Sequence, residues 1–456
     1  MTVAVVVSRA DSASRAIGEQ LLSLCEWDER PVESGAESVA RYVREGFELR
    51  EFADWHLELD GVAHEFDDPE FVVFASRHAG DTGPLLTAHF TGNFGAAEHG
   101  GADRELAAAC PAAHRRIVAA FREHAPDGYD VGMECTHHGP TDVGAPSMFA
   151  ELGSSEDEWT DPAGAEAVAR AVLALDGTPA RTERAVVAFG GGHYVPRPTR
   201  VVRETDWAVG HVAADWCLDE LGDPREHWAV VESVFAESGA TRAVVDGEKP
   251  RVREAVDELG YDVVSETWLR ETTGVPLGLA AALEAELAAV DDGLRFGDPA
   301  REAASEHVVV DHPDALWADA HSVDPDAALA AAREHALAYE TEENGNRVAG
   351  RVAFPDRDAY DAYADALVAL VDEKYDRVER ADGAVEITNE AFDPAAARER
   401  GVPEGPKFGR LANGQSVSVD GEEIAPADVS RETRETHPLP APQRVRRASD
   451  RRGKGN

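Results

Sequence analysis

Apolar and polar positions alternate along the first 265 residues in blocks that suit strands and helices in turn. Residues 3–7 form an unbroken apolar run rich in valine, the pattern of a strand covered on both faces. Ser12 is placed to cap a helix reaching about Leu24. Residues 71–75 and 85–90 read as strands, 102–124 as a helix, 129–135 and 146–152 as strands. Asp161 can cap a helix over 162–175 with proline at its first position. A strand over 185–189 and helices over 215–221 and 226–238 follow. Residues 241–245, 248–259 and 261–265 form a compact β-α-β unit. The alternation predicts an α/β fold, a mixed and mostly parallel sheet flanked by helices.

The character changes after Gly297. Helices are expected over 325–339 and 356–373, and strands over 347–354 and 384–388. These describe a small α+β module with its own core. The chain is therefore divided into 1–297, an acidic extension over 298–442, and a basic, disordered tail over 443–456. No apolar run approaches the roughly 20 residues that a membrane helix needs. The apolar start lacks a basic n-region and reads as a core strand rather than a signal peptide.

Charge narrows the setting. The 456 residues carry 88 Asp and Glu against 44 Lys and Arg, a formal charge of −44. Lysine occurs only at Lys249, Lys374, Lys407 and Lys454. In molar salt the screening length falls to about 3 Å, which relieves the self-repulsion of such a surface. The expected setting is a salt-rich cytoplasm. Cys25, Cys110, Cys135 and Cys217 show no CxxC spacing, so neither a disulfide framework nor a paired zinc ribbon is expected.

Four short segments concentrate chemistry where strands end. Glu134-Cys135-Thr136-His137-His138-Gly139-Pro140-Thr141 gathers a carboxylate, a thiol, two hydroxyls and two imidazoles into one loop. Adjacent histidines on an extended chain point apart, so His137 and His138 can share a metal only if the chain turns there. Gly139-Pro140 offers such a turn. Imidazole, thiolate and carboxylate are all zinc ligands, although the spacing matches neither HExxH nor CxxC. His89-Phe90-Thr91-Gly92-Asn93 ends a strand in a polar turn whose amides can hold an anion or a carbonyl oxygen. Gly190-Gly191-Gly192-His193-Tyr194 lets a substrate approach the backbone closely, but is neither GxGxxG nor a P-loop. Gly210-His211 lies before the expected helix at 215, whose dipole would keep the imidazole neutral. Arg197, Arg200 and Arg203 can either contact phosphate or pair with surface carboxylates.

These four motifs, in this order, resemble the archaeal and plant-type D-aminoacyl-tRNA deacylase family over about residues 1–295. The resemblance implies hydrolysis of the ester joining a D-amino acid to the tRNA 3′ end, a Zn²⁺ requirement, and a phosphorylase/hydrolase-like fold related to peptidyl-tRNA hydrolase. It implies His89, Glu134, His137, His138, His193 and His211 as catalytic candidates. His137, His138, His193 and His211 are candidate ligands, with ligand and base not divided. Thr91, Gly92, Asn93, Thr136, Thr141, Gly191, Gly192 and Tyr194 are candidate substrate contacts. Residues 401–411 resemble the C-terminal element of tRNase Z enzymes, whose HxHxDH motif is absent here.

Ester hydrolysis needs an activated water and a polarised carbonyl. Zn²⁺ or an imidazole base is expected to supply the first, and amides near Gly92 or Gly191 the second. The partner is aminoacylated tRNA, with no membrane and a monomeric chain. On so acidic a chain, recognition should rest on stacking and shape, so added KCl should weaken tRNA binding only shallowly; a steep loss contradicts this. The alternatives are a metal-dependent amidohydrolase or peptidase on small acyl substrates, and a non-catalytic RNA-binding module.

Overall fold

The computed structural model describes residues 1–302, 306–381 and 383–444. The chain forms two compact units, Met1–Thr273 and Gly274–Asn456. The first contains an eight-stranded sheet whose strands are β1 (Val3–Ser8), β2 (Asp28–Arg30), β3 (Ser38–Arg44), β4 (Phe47–Phe52), β5 (Phe71–Ala79), β6 (Leu85–His89), β7 (Asp130–Met133) and β8 (Ser147–Ser154). Their order is β2-β3-β4-β1-β5-β8-β6-β7. The centre is parallel from β4 through β1 and β5 to β8, and β6 then runs antiparallel to β8. A second, four-stranded parallel sheet holds β9 (Ala185–Phe189), β10 (Ala208–Ala213), β11 (Arg242–Val245) and β12 (Asp262–Val263). This is the mixed, mostly parallel α/β architecture expected.

β1, apolar from Val3 to Val7, is buried at every position, as a central strand covered by helices should be. The first helix, Ser12–Leu24, is capped by Asp11 rather than Ser12: the Asp11 carboxylate accepts from the amides of Ala13 at 2.9 Å and Ser14 at 3.4 Å. The helix expected from residue 102 begins only at Pro111, because a residue before proline is pushed out of the α region. Asp161 does cap its helix, accepting from the amide of Ala163.

The second unit is built from antiparallel sheets with packed helices. It begins earlier than Gly297 because Leu294–Phe296 pairs with Ala338–Glu342. At its other end Gln443–Arg444, expected in the tail, add an antiparallel strand to Val308–Asp311; an open edge there accepts one more ladder. The rest of the expected tail lies outside the described residues. Among the described residues no helix is long and apolar enough to cross a membrane, and the four cysteines are free.

Three fully buried histidines make core stability sensitive to acid. Burial lowers His56, His114 and His211 from the usual 6.5 to about 4 each. Below 6.5 the unfolded chain binds protons that the folded chain refuses. Stability is therefore full above that pH and falls as pH drops toward 4, by about 1.4 kcal/mol per unit for each ring. Thermal unfolding in molar KCl, where surface repulsion is screened, should show Tm dropping between pH 6.5 and 4. A flat Tm over that window contradicts the assignment.

Candidate active site

Register gathers one chemical face. The pairings Phe74↔Phe149, Ser76↔Glu151 and His78↔Gly153 join β5 to β8. Thr87↔Glu151 and His89↔Phe149 join β8 to β6, and Thr87↔Gly132 joins β6 to β7. Side chains of paired residues share a side. His78, Glu151, Thr87 and His89 therefore face one way, and Glu134, just past β7, follows the same alternation.

The turn between His137 and His138 exists, and His138 makes it. Its φ is +45°, a left-handed conformation that folds the two adjacent rings together. Their centroids are 4.5 Å apart, and His89 lies 4.2 Å from His137 and 4.8 Å from His138. Each ring is held by its Nδ1. His89 Nδ1 lies 3.0 Å from the Phe90 carbonyl, His137 Nδ1 2.8 Å from that of Cys135, and His138 Nδ1 2.7 Å from that of Gly139. A carbonyl only accepts, so all three Nδ1 atoms carry the proton and all three Nε2 atoms are left to bind. This is how metal-binding imidazoles are oriented by their surroundings. Burial and the neighbouring His137 and His89 hold His138 well below the usual imidazole range, which keeps it neutral as ligation requires.

Glu134 is the hub beside them. Its Oε2 accepts from His193 Nε2 at 2.7 Å and lies 3.9 Å from His137 Nε2. Its Oε1 approaches His78 Nδ1 at 3.1 Å but off the hydrogen-bond axis, so this buried oxygen has no donor. Burial would raise its pKa, yet His193, His78, His89 and His137 together hold it well below the usual carboxylate range. His193 reaches Cys135 Sγ with Nδ1 at 3.4 Å. Hydrogen bonds to Cys135 and Glu134 push His193 up to about 10. Burial opposes charging of His78, but Glu134 and Glu151 carry it to about 9. The Cys135 thiol is pulled down to about 3 by Cys217, then by His137 and His193 against burial. Such a thiolate is a competent metal ligand.

Three sets of donor atoms lie within 4.8 Å of one another here: His89, His137 and His138; Cys135, His137 and His193; and His78, Glu134 and Glu151. The residues fit a bound cation. Imidazole, thiolate and carboxylate are zinc donors, and the buried His89 Nε2, 3.6 Å from Glu151, and Glu134 Oε1 make no hydrogen bond. An orphaned buried polar atom is costly unless a ligand meets it.

His211 stands elsewhere. It lies inside β10, not before a helix, and both its ring nitrogens are used, by Thr136 Oγ1 at 3.0 Å and the Ala107 carbonyl at 2.8 Å. It is neutral, but burial rather than a helix dipole makes it so. The missed signal was the apolar run over 208–213, with Gly210 pressed against Ser238.

Several other expected contacts hold loops in place. Asn93 donates to the carbonyls of Gly100 and Ala102, and Thr141 donates to Glu105. Thr136 Oγ1 accepts from the Val212 amide. A Cβ on Gly92 would come within 2.4 Å of Leu106. Thr91 Oγ1, in contrast, is buried without a partner. Gly191 has a φ of +88° and Gly192 faces open space. Tyr194 is exposed, its hydroxyl 3.2 Å from His78 Nε2. Arg197 and Arg200 pair with Asp246 and Glu266. His78 and Glu151 were not anticipated, although an acid between Ala150 and Leu152 in a buried strand was a readable sign.

The fold and this cluster define an α/β protein with a histidine, carboxylate and thiolate centre where strands end, a class suited to metal-assisted hydrolysis. A family model described as D-aminoacyl-tRNA deacylase matches residues 65–264. The D-aminoacyl-tRNA deacylase of Halobacterium salinarum strain R1 is 54% identical over 460 residues, covering all of both chains. That of Natronomonas pharaonis is 52% identical over 94% of this chain and 98% of its own, and that of Methanococcoides burtonii 32% over 96% of each. A solved protein titled only as conserved and of unknown function aligns with a TM-score of 0.55 at 29% identity, covering 60% of this chain and 98% of its own. The chain belongs to the D-aminoacyl-tRNA deacylase family. Because these relatives cover 94–100% of the chain, the second unit is shared with relatives of that name rather than peculiar to this chain.

Proposed function

We propose that the protein hydrolyses the ester of D-aminoacyl-tRNA, releasing tRNA and the free D-amino acid, and that it does so as a zinc enzyme. The observation that carries the site is the convergence of His89, His137 and His138, each anchored through Nδ1 and each presenting Nε2. These three, with Cys135 and His193 as the adjoining donors, would hold the metal. When bound, Zn²⁺ supplies a Lewis acid for the ester carbonyl and water acidified toward neutral pH.

The chain's own groups provide the rest. Glu134, kept ionised, accepts a proton through Oε1, which makes no hydrogen bond, and so serves as the general base. His78, held protonated and 3.1 Å from Glu134, can return a proton to the leaving ribose oxygen. Tyr194 and Trp216, both exposed and both beside His193, offer ring faces to unstacked bases. Such contacts suit an acidic protein in high salt, where phosphate contacts lose strength.

The test is single-turnover incubation with D-Tyr-tRNA and L-Tyr-tRNA. Release of D-tyrosine alone supports the reading. Equal release of both enantiomers, or none, rejects it. Turnover of small amides instead would favour an amidohydrolase.

A further inference from the structure

The reactive face continues past the cluster. Toward the starts of β6 and β7 lies a cavity of about 530 Å³, within the range of small-ligand sites. Its floor is Leu85 and Thr87 from β6 with Asp130 and Gly132 from β7, and its wall is the helix Pro196–Glu204. The pairs Leu85↔Asp130 and Thr87↔Gly132 put the floor on the same side of the sheet as His89. Thr87 is two residues from His89, about 7 Å along the strand. Tyr194 borders the cavity and touches His78.

Three independent features mark it as built for a ligand. Thr87 is fully buried, and its Oγ1 has no hydrogen-bond partner. A side chain on Gly132 would meet nothing within 4 Å, so the strand leaves space where most residues would fill it. Arg203 is a free cation. Arg200 is tied to Glu266 and Glu204 to Arg270, whereas Arg203 has no carboxylate within ion-pair distance among the described residues. With twice as many acids as bases in the chain, an arginine left unpaired at a cavity mouth is available to an anion.

We propose that this cavity seats the 3′-terminal nucleotide of the substrate, with the heterocycle and ribose inside and the 5′ phosphate on Arg203; the proposal rests on the deacylase reading. Leu85 and Pro196 supply apolar walls for a base, and the exposed Tyr194 ring supplies a stacking surface. The Thr87 hydroxyl suits a ribose hydroxyl, and the Asp130 carboxylate suits an exocyclic amine. The scissile ester is attached to that ribose. Seating the ribose near Thr87 and Tyr194 delivers the ester to His89 and Glu134. A pocket for the amino-acid side chain would have no use for a cation at its mouth.

The probe is free 5′-AMP, titrated against the full-length protein and used as a competitor of D-Tyr-tRNA hydrolysis. Wild type should bind it saturably, with unphosphorylated adenosine weaker by about ten-fold or more. Gly132→Leu, which fills the cavity, and Arg203→Glu, which leaves it open, should each raise the AMP Kd and the KM for D-Tyr-tRNA by about ten-fold or more. With Arg203→Glu, kcat at saturation should stay within about three-fold, the mark of lost uniform binding. No AMP binding, or wild-type Kd and KM in both variants, overturns the proposal. So does a Gly132→Leu protein that changes its preference between D-Tyr and D-Ala while binding AMP normally, since the cavity then holds the side chain. These failures leave D-Tyr-tRNA hydrolysis by wild type intact. Failure of the deacylase reading removes that hydrolysis and leaves AMP binding to be judged alone.

Discussion

His138→Asn should silence turnover in a protein that still folds. Position 138 has a φ of +45°, and asparagine tolerates the left-handed region better than most side chains. The backbone turn that brings the neighbouring imidazoles together is therefore kept. What goes is one Nε2 of the three that face each other. Changing only the outer partners of a metal ligand typically costs 10–100-fold, so losing the ligand itself should cost about 100-fold or more in zinc affinity and in D-Tyr-tRNA turnover. Tm should move by no more than about 8 °C, the shift expected from a loss of about 1 kcal/mol in a domain of up to 100 residues and smaller in a larger one. Wild-type turnover in a zinc-limited assay would remove His138 from the site.

The second large effect is expected from Glu134→Gln, which keeps shape and removes charge. His193 donates to this carboxylate at 2.7 Å, and His78 lies 3.1 Å from it. Loss of general-base function predicts a fall in kcat of about 10²–10⁴-fold. The sign of the accompanying titration follows from the charges. A carboxylate favours imidazolium, so neutralising it must lower both His78, now about 9, and His193, now about 10. Histidine ring resonances followed through pH in the metal-free protein report this directly. Wild-type titration of both rings would mean that Glu134 is not the hub. Normal kcat with shifted rings would leave it a positioning residue.

Motif order was the most legible part of the site. His89, Glu134, His137, His138 and His193 do meet, because each lies at or just beyond the end of a strand, where chemistry in α/β folds collects. His211 shows the limit. A histidine in an apolar context reads the same whether it faces a cleft or a core, and only the partners at Thr136 and Ala107 decide. His78 and Glu151 were hidden for the opposite reason. They sit inside strands whose neighbours are apolar, and their meeting depends on β5–β8 register, which pairs residues more than seventy positions apart. The turn at His138 could be posed as a condition from the sequence, but its left-handed backbone could not be read there. Among the elements, the expected helices were found, but Pro196–Glu204, Leu277–Glu286 and Asp314–Val323 were not anticipated. The first residues of the expected helices depended on particular caps and prolines, Asp11 and Pro111, which local competition decided.

The central claim is that anchored histidines around Glu134 form one zinc-dependent reaction centre. The most direct measurement strips the protein with a chelator, returns zinc in sub-stoichiometric steps, and follows D-Tyr-tRNA hydrolysis together with bound metal. The account predicts no hydrolysis in the stripped protein and recovery in proportion to zinc bound, in wild type but not in His138→Asn. Full hydrolysis by metal-free protein, or zinc bound equally by both proteins, would contradict it.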